Sequence, residues 1–124
     1  YNYVVENLTY DYDLADTVES GYIPDVDATL QSKKGICFDY AAMTTAMLRA
    51  RDIPCKLQIG YAGTVKHAWI NVYIRSKGWV DKAVEFSGDS WSRMDPTFDS
   101  NSQDAETIQQ YIGDDDNYSV QFTR

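Results

Sequence analysis

Cysteine is scarce in this chain: the 124 residues hold two, Cys37 and Cys55. That is too few for a disulfide-dense secreted scaffold, and the spacing makes no CxxC redox or metal pair. One bridge, or two thiols with separate roles, is what remains. Positive charge is also in deficit. Eleven Lys and Arg stand against 19 Asp and Glu, a formal net charge of -8, so the chain as a whole repels a nucleic-acid backbone. Apolar runs fall far short of the ~20 residues a membrane-spanning helix needs. No internal repeat or low-complexity tract is visible, and histidine occurs once, as His67. We therefore expect no nucleic-acid partner and no membrane insertion of this domain.

What is present is the balance of an ordinary folded protein, with 44% apolar, 14% aromatic and 24% charged residues. The length suits one hydrophobic core, so we expect a single domain over 1–124. Because the chain starts at Tyr1 rather than Met, we expect a piece cut from a longer chain.

Val4, Val5 and Leu8 share a helical face, which predicts a short opening helix broken at Tyr10-Asp11-Tyr12-Asp13. After a loop through Gly21 and Pro24, Asp25 or Asp27 is placed to cap a helical turn reaching Gln31. From Ile36 to about Arg51, Cys37, Tyr40, Ala41, Thr44, Met47 and Leu48 recur at helical spacing, with Cys37 in the first turn and Pro54 as the stop. Strands follow. Cys55, Leu57, Ile59 and Tyr61 alternate with polar or small residues, and in His67 to Ile74 one face is Ala68, Ile70, Val72 and Ile74. The other face, His67, Trp69, Asn71 and Tyr73, is expected to be the more polar one. Turns at Ser76-Lys77-Gly78 and Ser87-Gly88-Asp89-Ser90 predict further hairpins through Trp79 to Phe86 and Trp91 to Met94, then a helix near Thr107 to Ile112 and a last strand through Tyr118, Val120 and Phe122.

A cysteine at a helix N-terminus meets unpaired backbone N–H groups and the positive end of the helix dipole, both of which favour thiolate. Gly35 lets the chain turn tightly just before it, and the Cys37 N–H is a candidate oxyanion donor. A nucleophilic thiol needs a base that also serves as an acid near neutral pH, and His67 is the one imidazole available. Asp95, next to the stiffening Pro96, is the candidate carboxylate to orient that ring. The order Cys, His, acid is that of papain-type enzymes.

The blocks Gly35-Ile36-Cys37-Phe38-Asp39-Tyr40-Ala41, Leu48-Arg49-Ala50-Arg51-Asp52-Ile53-Pro54, Gly60-Tyr61, His67-Ala68-Trp69 and Met94-Asp95-Pro96-Thr97 together resemble the core of the transglutaminase-like superfamily, over roughly residues 30–98. The resemblance implies an α+β papain-like transglutaminase core, with N-terminal helices and the cysteine helix packed on an antiparallel sheet. It implies Cys37 as nucleophile, His67 as base and acid, and Asp95 as orienting residue, without metal or organic cofactor. The family pattern departs here in Cys55, where a small residue often stands, and in an extra hairpin around Gly88. Gln31, six residues before Cys37, resembles the oxyanion glutamine of papain-like proteases. A bacterial cell-surface or secreted setting goes with the resemblance.

Blander roles stand beside these. A lone cysteine or histidine is usually structural, and Asp95 also suits a turn cap before Pro96. Cys55 is expected to pack inward as a small hydrophobe, with a Cys37 to Cys55 disulfide as the rival. Trp69, Trp79 and Trp91 are core or cleft-wall aromatics, Trp69 being a candidate for the acyl pocket. Asp114-Asp115-Asp116-Asn117 lacks the spacing and closing Glu of a calcium loop and is expected to be a solvated loop, as Asp11, Asp13 and Asp16 also fail that pattern. Asn7-Leu8-Thr9 and Asn117-Tyr118-Ser119 fit glycosylation sequons. The expected function is cysteine-dependent acyl transfer at amide or peptide bonds of a protein or peptide substrate, with hydrolysis as protease or amidase first and protein cross-linking second. From a different class, the alternative is a catalytically silent extracellular binding domain.

Overall fold

The computed structural model describes residues 1–19, 21–74, 77–80, 84–87, 90–101 and 105–124. Its chain order is helix α1 (Asn2–Asn7), strand β1 (Thr9–Tyr10), helices α2 (Tyr12–Thr17) and α3 (Val26–Ser32), strand β2 (Lys34–Gly35) and the long helix α4 (Cys37–Arg49). Strands β3 (Cys55–Ala62), β4 (Val65–Ile74), β5 (Lys77–Val80), β6 (Val84–Ser87) and β7 (Ser90–Met94) follow. Helices α5 (Pro96–Asn101) and α6 (Ala105–Gly113) and strand β8 (Tyr118–Thr123) end the chain.

A four-stranded antiparallel sheet ordered β7-β4-β3-β8 is the platform. On one face, Cys55, Ala68, Ile70, Val72 and Met94 meet Ala41 of α4, the apolar stripe predicted from helical spacing. The second face is not polar. Trp69 is fully buried there against Ala62 and Tyr118, with Phe98 and Tyr111 beside it. A period-2 pattern predicts a solvated face only where nothing covers it; α5, α6 and β8 supply the cover, and the indole still finds a hydrogen-bond partner in Gln58 Oε1 at 3.0 Å. A third cluster, Val4, Leu8, Tyr40 and Met43, seats α1 on the back of α4. Burying side chains of this size contributes about 1.5–3 kcal/mol each, which is what holds a six-residue helix too short to stand alone.

Several boundaries differ from expectation for local reasons. The Tyr10–Asp13 stretch is not a simple break: Asp11 accepts from the Leu14 N–H at 3.0 Å and so caps α2. Asp25, rather than Asp27, caps α3 through the Ala28 N–H at 3.1 Å. Helix α4 stops at Arg49, before Pro54 acts, because Ile53 N–H returns to Leu48 C=O at 3.0 Å with Asp52 at a left-handed φ of 58°. Strands β5 and β6 pair antiparallel, Lys77↔Ser87 to Val80↔Val84, in a sheet of their own, so that Lys77 and Gly78, expected in a turn, lie in a strand. Ser76, Gly88 and Asp89, where turns are expected, lie outside the described residues, as does the Trp79 side chain. Trp91 is neither core nor cleft wall: β7 is a sheet edge, and the ring, 42% exposed, carries the Lys56 ammonium 3.9 Å from its centroid.

The two cysteines do not meet. Cys55 Sγ lies 3.6 Å from Thr45 Oγ1, eight residues along α4 from Cys37, or ~12 Å of helix rise, and a disulfide needs Cα atoms within ~7 Å. Both are free thiols, and burial first of all raises that of Cys55. Asp115–Asn117 form a 3₁₀ turn capped by Asp114, which accepts from the Asp116 N–H at 3.0 Å, and Asp115 pairs with Arg93 at 2.7 Å. Among the described residues no helix is long and apolar enough to cross a membrane.

Candidate active site

Helix α4 begins where the sequence places it, with Cys37 as its first residue, and the cause lies in Gly35 and Asp39. Asp39, fully buried in the first turn, accepts the Ile36 N–H at 2.9 Å through one carboxylate oxygen and the Tyr22 hydroxyl at 2.6 Å through the other. A buried carboxylate is tolerable only when its lone pairs are used in this way. Gly35 is required because any Cβ there would lie 2.5 Å from Asp39 Cβ. Strand β1 pairs in parallel with β2, Tyr10 opposite Gly35, which brings Tyr10 to the same cleft as Cys37. Burial and then the charge of Cys37 raise the Tyr10 hydroxyl above its ordinary value, so it stays a neutral donor.

His67 faces Gly60 across the β3–β4 ladder and is 5% exposed. Its Nε2 lies 2.7 Å from Asp95 Oδ2, and the ring lines the same cleft as Cys37. An imidazole has two nitrogens, and with Nε2 engaged by Asp95 it is Nδ1 that is left over. Phe98 stacks on the ring at 4.5 Å and 13°, and Trp69 flanks it at 6.2 Å. Burial alone lowers the imidazole pKa. The hydrogen bond to Asp95 and the negative charges of Asp95 and Cys37 more than offset that, and His67 is pushed up to about 9.

Asp95 follows β7 and is wholly buried. Three donors hold it: His67 Nε2 and the Tyr118 hydroxyl, at 2.9 Å, share Oδ2, while the Phe98 N–H reaches Oδ1 at 3.1 Å. Asp95 is thus both the ring's partner and the cap of α5, with Pro96 at the first helical position. The orienting and capping roles are one arrangement, since the cap fixes the carboxylate that His67 meets.

Cys37 and His67 therefore line one cleft, and His67 is paired with Asp95 behind it. Gln31 is not part of it: it is exposed on α3 and does not line the cleft, because the six residues to Cys37 cross a helix end, with Lys33 at a φ of 58°, and then β2. Trp69, a candidate for an acyl pocket, does not line the cleft either, being sealed in the second core. Phe98 and Tyr118 escape a reading of the sequence. An Asp-Pro helix start would have signalled Phe98, three residues into α5, whereas the alternation around Tyr118 predicts a strand and nothing of its hydroxyl. Arg93 backs Tyr118, its guanidinium 4.5 Å from the ring centroid while it donates to Ile112 C=O at 3.0 Å. Among the described residues no cluster of His, Cys, Asp and Glu is placed to hold a metal ion.

With a single histidine, imidazole resonances in an NMR titration report on His67 alone. The midpoint is expected near 9, and Tyr118→Phe moves it upward. The lost hydroxyl leaves more of the Asp95 charge to act on the ring, and losing a hydrogen bond to a charged group costs about 1.5–3 kcal/mol of stability. An unmoved midpoint would show that Tyr118 does not tune the pair.

The comparisons agree with this architecture. UPF0252 protein MJ1282 of Methanocaldococcus jannaschii is 39% identical over 68 residues, which cover 50% of this chain and 19% of that protein. Two solved structures superpose with a TM-score of 0.54 over 77% of this chain. One is a TGase, 21% identical and covered to 24% of its length. The other is "a Putative Cysteine Protease from Cytophaga hutchinsonii", 23% identical and covered to 28%. The chain thus spans less than a third of the length of each of these relatives, and at such identities the structures establish the papain-like α+β fold. The match to the sequence pattern of the transglutaminase-like superfamily runs over residues 1–96, from the opening helix through the Asp95-Pro96 helix start, and the chain belongs to that superfamily.

Proposed function

We propose that this chain is a cysteine-dependent acyl-transfer enzyme that hydrolyses amide or peptide bonds of protein or peptide substrates, with Cys37, His67 and Asp95 as its catalytic triad. The observation that carries the reading is the 2.7 Å contact of His67 Nε2 with buried Asp95, which leaves Nδ1 for the thiol. Membership of a superfamily that includes cysteine enzymes supports it.

In this mechanism Cys37 Sγ, as thiolate, attacks the carbonyl carbon, and the C=O π electrons move to oxygen beside the free Cys37 N–H of the helix terminus. His67 Nδ1–H gives its proton to the leaving amine as the C–N bond breaks, and a thioester remains. Water then adds to the thioester carbonyl, passing a proton to Nδ1. Collapse expels the Cys37 thiolate and releases the acid, which restores the starting pair. A primary amine in place of water would give the cross-linking outcome. A secreted or cell-surface setting goes with this reading.

The test combines two measurements in a Cys55→Ser background. Cys37 labelling by iodoacetamide is expected to be fast well below pH 8 and to stay fast through pH 10, since it needs only thiolate. Turnover is expected to fall as pH rises through about 9, because His67 is protonated below that value and loses its acid proton above it. Peptide products analysed with a primary amine present should carry a new carboxylate; an amide adduct in its place would make the chain a cross-linker. Slow labelling with the profile of an ordinary thiol would remove the triad and leave a silent binding domain.

A further inference from the structure

The sheet face that packs under α4 continues beyond the end of the helix. Cys55, Leu57 and Ile59 of β3 belong to that face with Ala68, Ile70 and Val72 of β4. Ile59 and its cross-strand partner Ala68, nearest the helix N-terminus, also form the floor of the cleft in front of Cys37 and His67. Val18, just after α2, and Phe38 of α4 form walls, each partly buried, and Val65 forms a lip, 65% exposed and two residues before His67 on the same strand face. Two core-like surfaces thus approach each other without filling the space between them, and the cavity measures about 560 Å³. Pockets that take a substrate side chain or a small ligand fall in the range ~300–1,000 Å³. The charges at this cleft, Glu19 and Lys66, are exposed and opposite in sign, so neither an acidic nor a basic substrate gains from them.

Ile59, Val18 and Phe38 themselves offer a polar side chain no partner for the water it gives up, although the Tyr10 hydroxyl shares the cleft, whereas an aliphatic or aromatic side chain would displace water from all three. We infer that this cleft is a subsite for a large apolar side chain on the acyl side of the scissile bond, so that the preferred substrates are peptides presenting leucine- or phenylalanine-like groups rather than amide or acidic ones. The inference rests on the acyl-transfer reading of Cys37 and adds the substrate class to it.

The probes are N-acetyl dipeptidyl chloromethyl ketones carrying Leu or Phe, against Gln or Asp, at either position. In each reaction Cys37 Sγ bonds to the probe's methylene carbon and chloride leaves. Rates are divided by the iodoacetamide rate of the same protein, so that general thiol reactivity cancels. The best Leu or Phe probe is expected to react about tenfold or more faster than its Gln and Asp counterparts, the scale of burying one large apolar side chain. Val65→Asp, on an exposed lip, and separately Val18→Asp should each reduce that ratio several-fold. Equal normalised rates for apolar and polar probes, with rapid iodoacetamide labelling, would overturn the subsite and leave the nucleophile standing. A ratio untouched by both variants would equally overturn it. Slow labelling by iodoacetamide itself would remove the acyl-transfer reading, and the subsite with it.

Discussion

His67→Ala is expected to slow turnover by about 10³-fold, within the 10²–10⁴ that a positioned acid–base contributes, and to cut the labelling of Cys37 at pH 6 by about 100-fold. The second figure follows from ionisation. An ordinary thiol with a pKa of about 8.5 is thiolate to only about 0.3% at pH 6, so a sulphur whose charge is stabilised by an adjacent imidazolium has more than two decades of reactivity to lose. His67 is protonated throughout that range, with its pKa pushed up to about 9, and so brings a positive charge to the cleft at pH 6. The variant also strands a buried carboxylate, but Asp95 keeps the Tyr118 hydroxyl and the Phe98 N–H, so the fold is expected to survive and far-UV circular dichroism to stay native-like. Labelling at pH 6 that is equally fast with and without His67 would mean that the helix terminus alone activates the thiol.

Much of this candidate site was legible because each of its residues stands in a local sequence pattern. Cys37 announces itself by a helix-periodic run that starts on it, His67 by opening a strand on its more polar face, and Asp95 by the proline behind it. What joins them is not local. Asp95 meets His67 across 28 residues of chain and Tyr118 across 23, and no periodicity records which hydroxyl will arrive at which carboxylate. Asp39 shows the same limit from another side. Its place at the third residue of α4 is visible, but its burial depends on Tyr22, which comes from a loop that the pattern describes only as irregular.

The fold was legible to a similar depth. The main helix and the β3–β4 hairpin lie within a residue or two of the expected bounds, because long apolar patterns leave little choice of register. Short elements were legible only in part: the opening helix α1 is where its apolar face predicts it, whereas α2 and α5, six residues each, owe their existence to caps and to tertiary burial rather than to propensity. Gln31 and Trp69 were misplaced for a related reason: spacing along the chain says nothing of a left-handed residue at Lys33 that turns the helix end, or of a second layer that buries the indole.

Gly60→Ala is expected to destabilise the protein by about 2–3 kcal/mol and to lower its melting temperature by roughly 10 °C, a large effect for one methyl group. The added Cβ would lie 1.9 Å from the Ser119 carbonyl oxygen, 2.9 Å from its carbon and 3.1 Å from the Gln121 nitrogen. All three are backbone atoms of β8, so no side chain can swing aside and the strand itself must move. The β3–β8 pairing is already irregular there, since the register shifts between Ile59 and Gly60, and it has no slack in which to absorb a displacement. The movement falls next to Tyr118, whose hydroxyl holds Asp95 against His67, so turnover should drop by more than the loss of folded protein explains. Gly113→Ala is the control: nothing lies within 4 Å of a Cβ there, and its stability should stay within about 0.5 kcal/mol of the parent. Thermal unfolding of the two variants side by side, with kcat measured well below each transition, separates the cases. Equal melting temperatures would mean that β8 does not lie against Gly60. A destabilised Gly60→Ala with unchanged kcat would mean that Asp95 keeps its orientation without help from that strand.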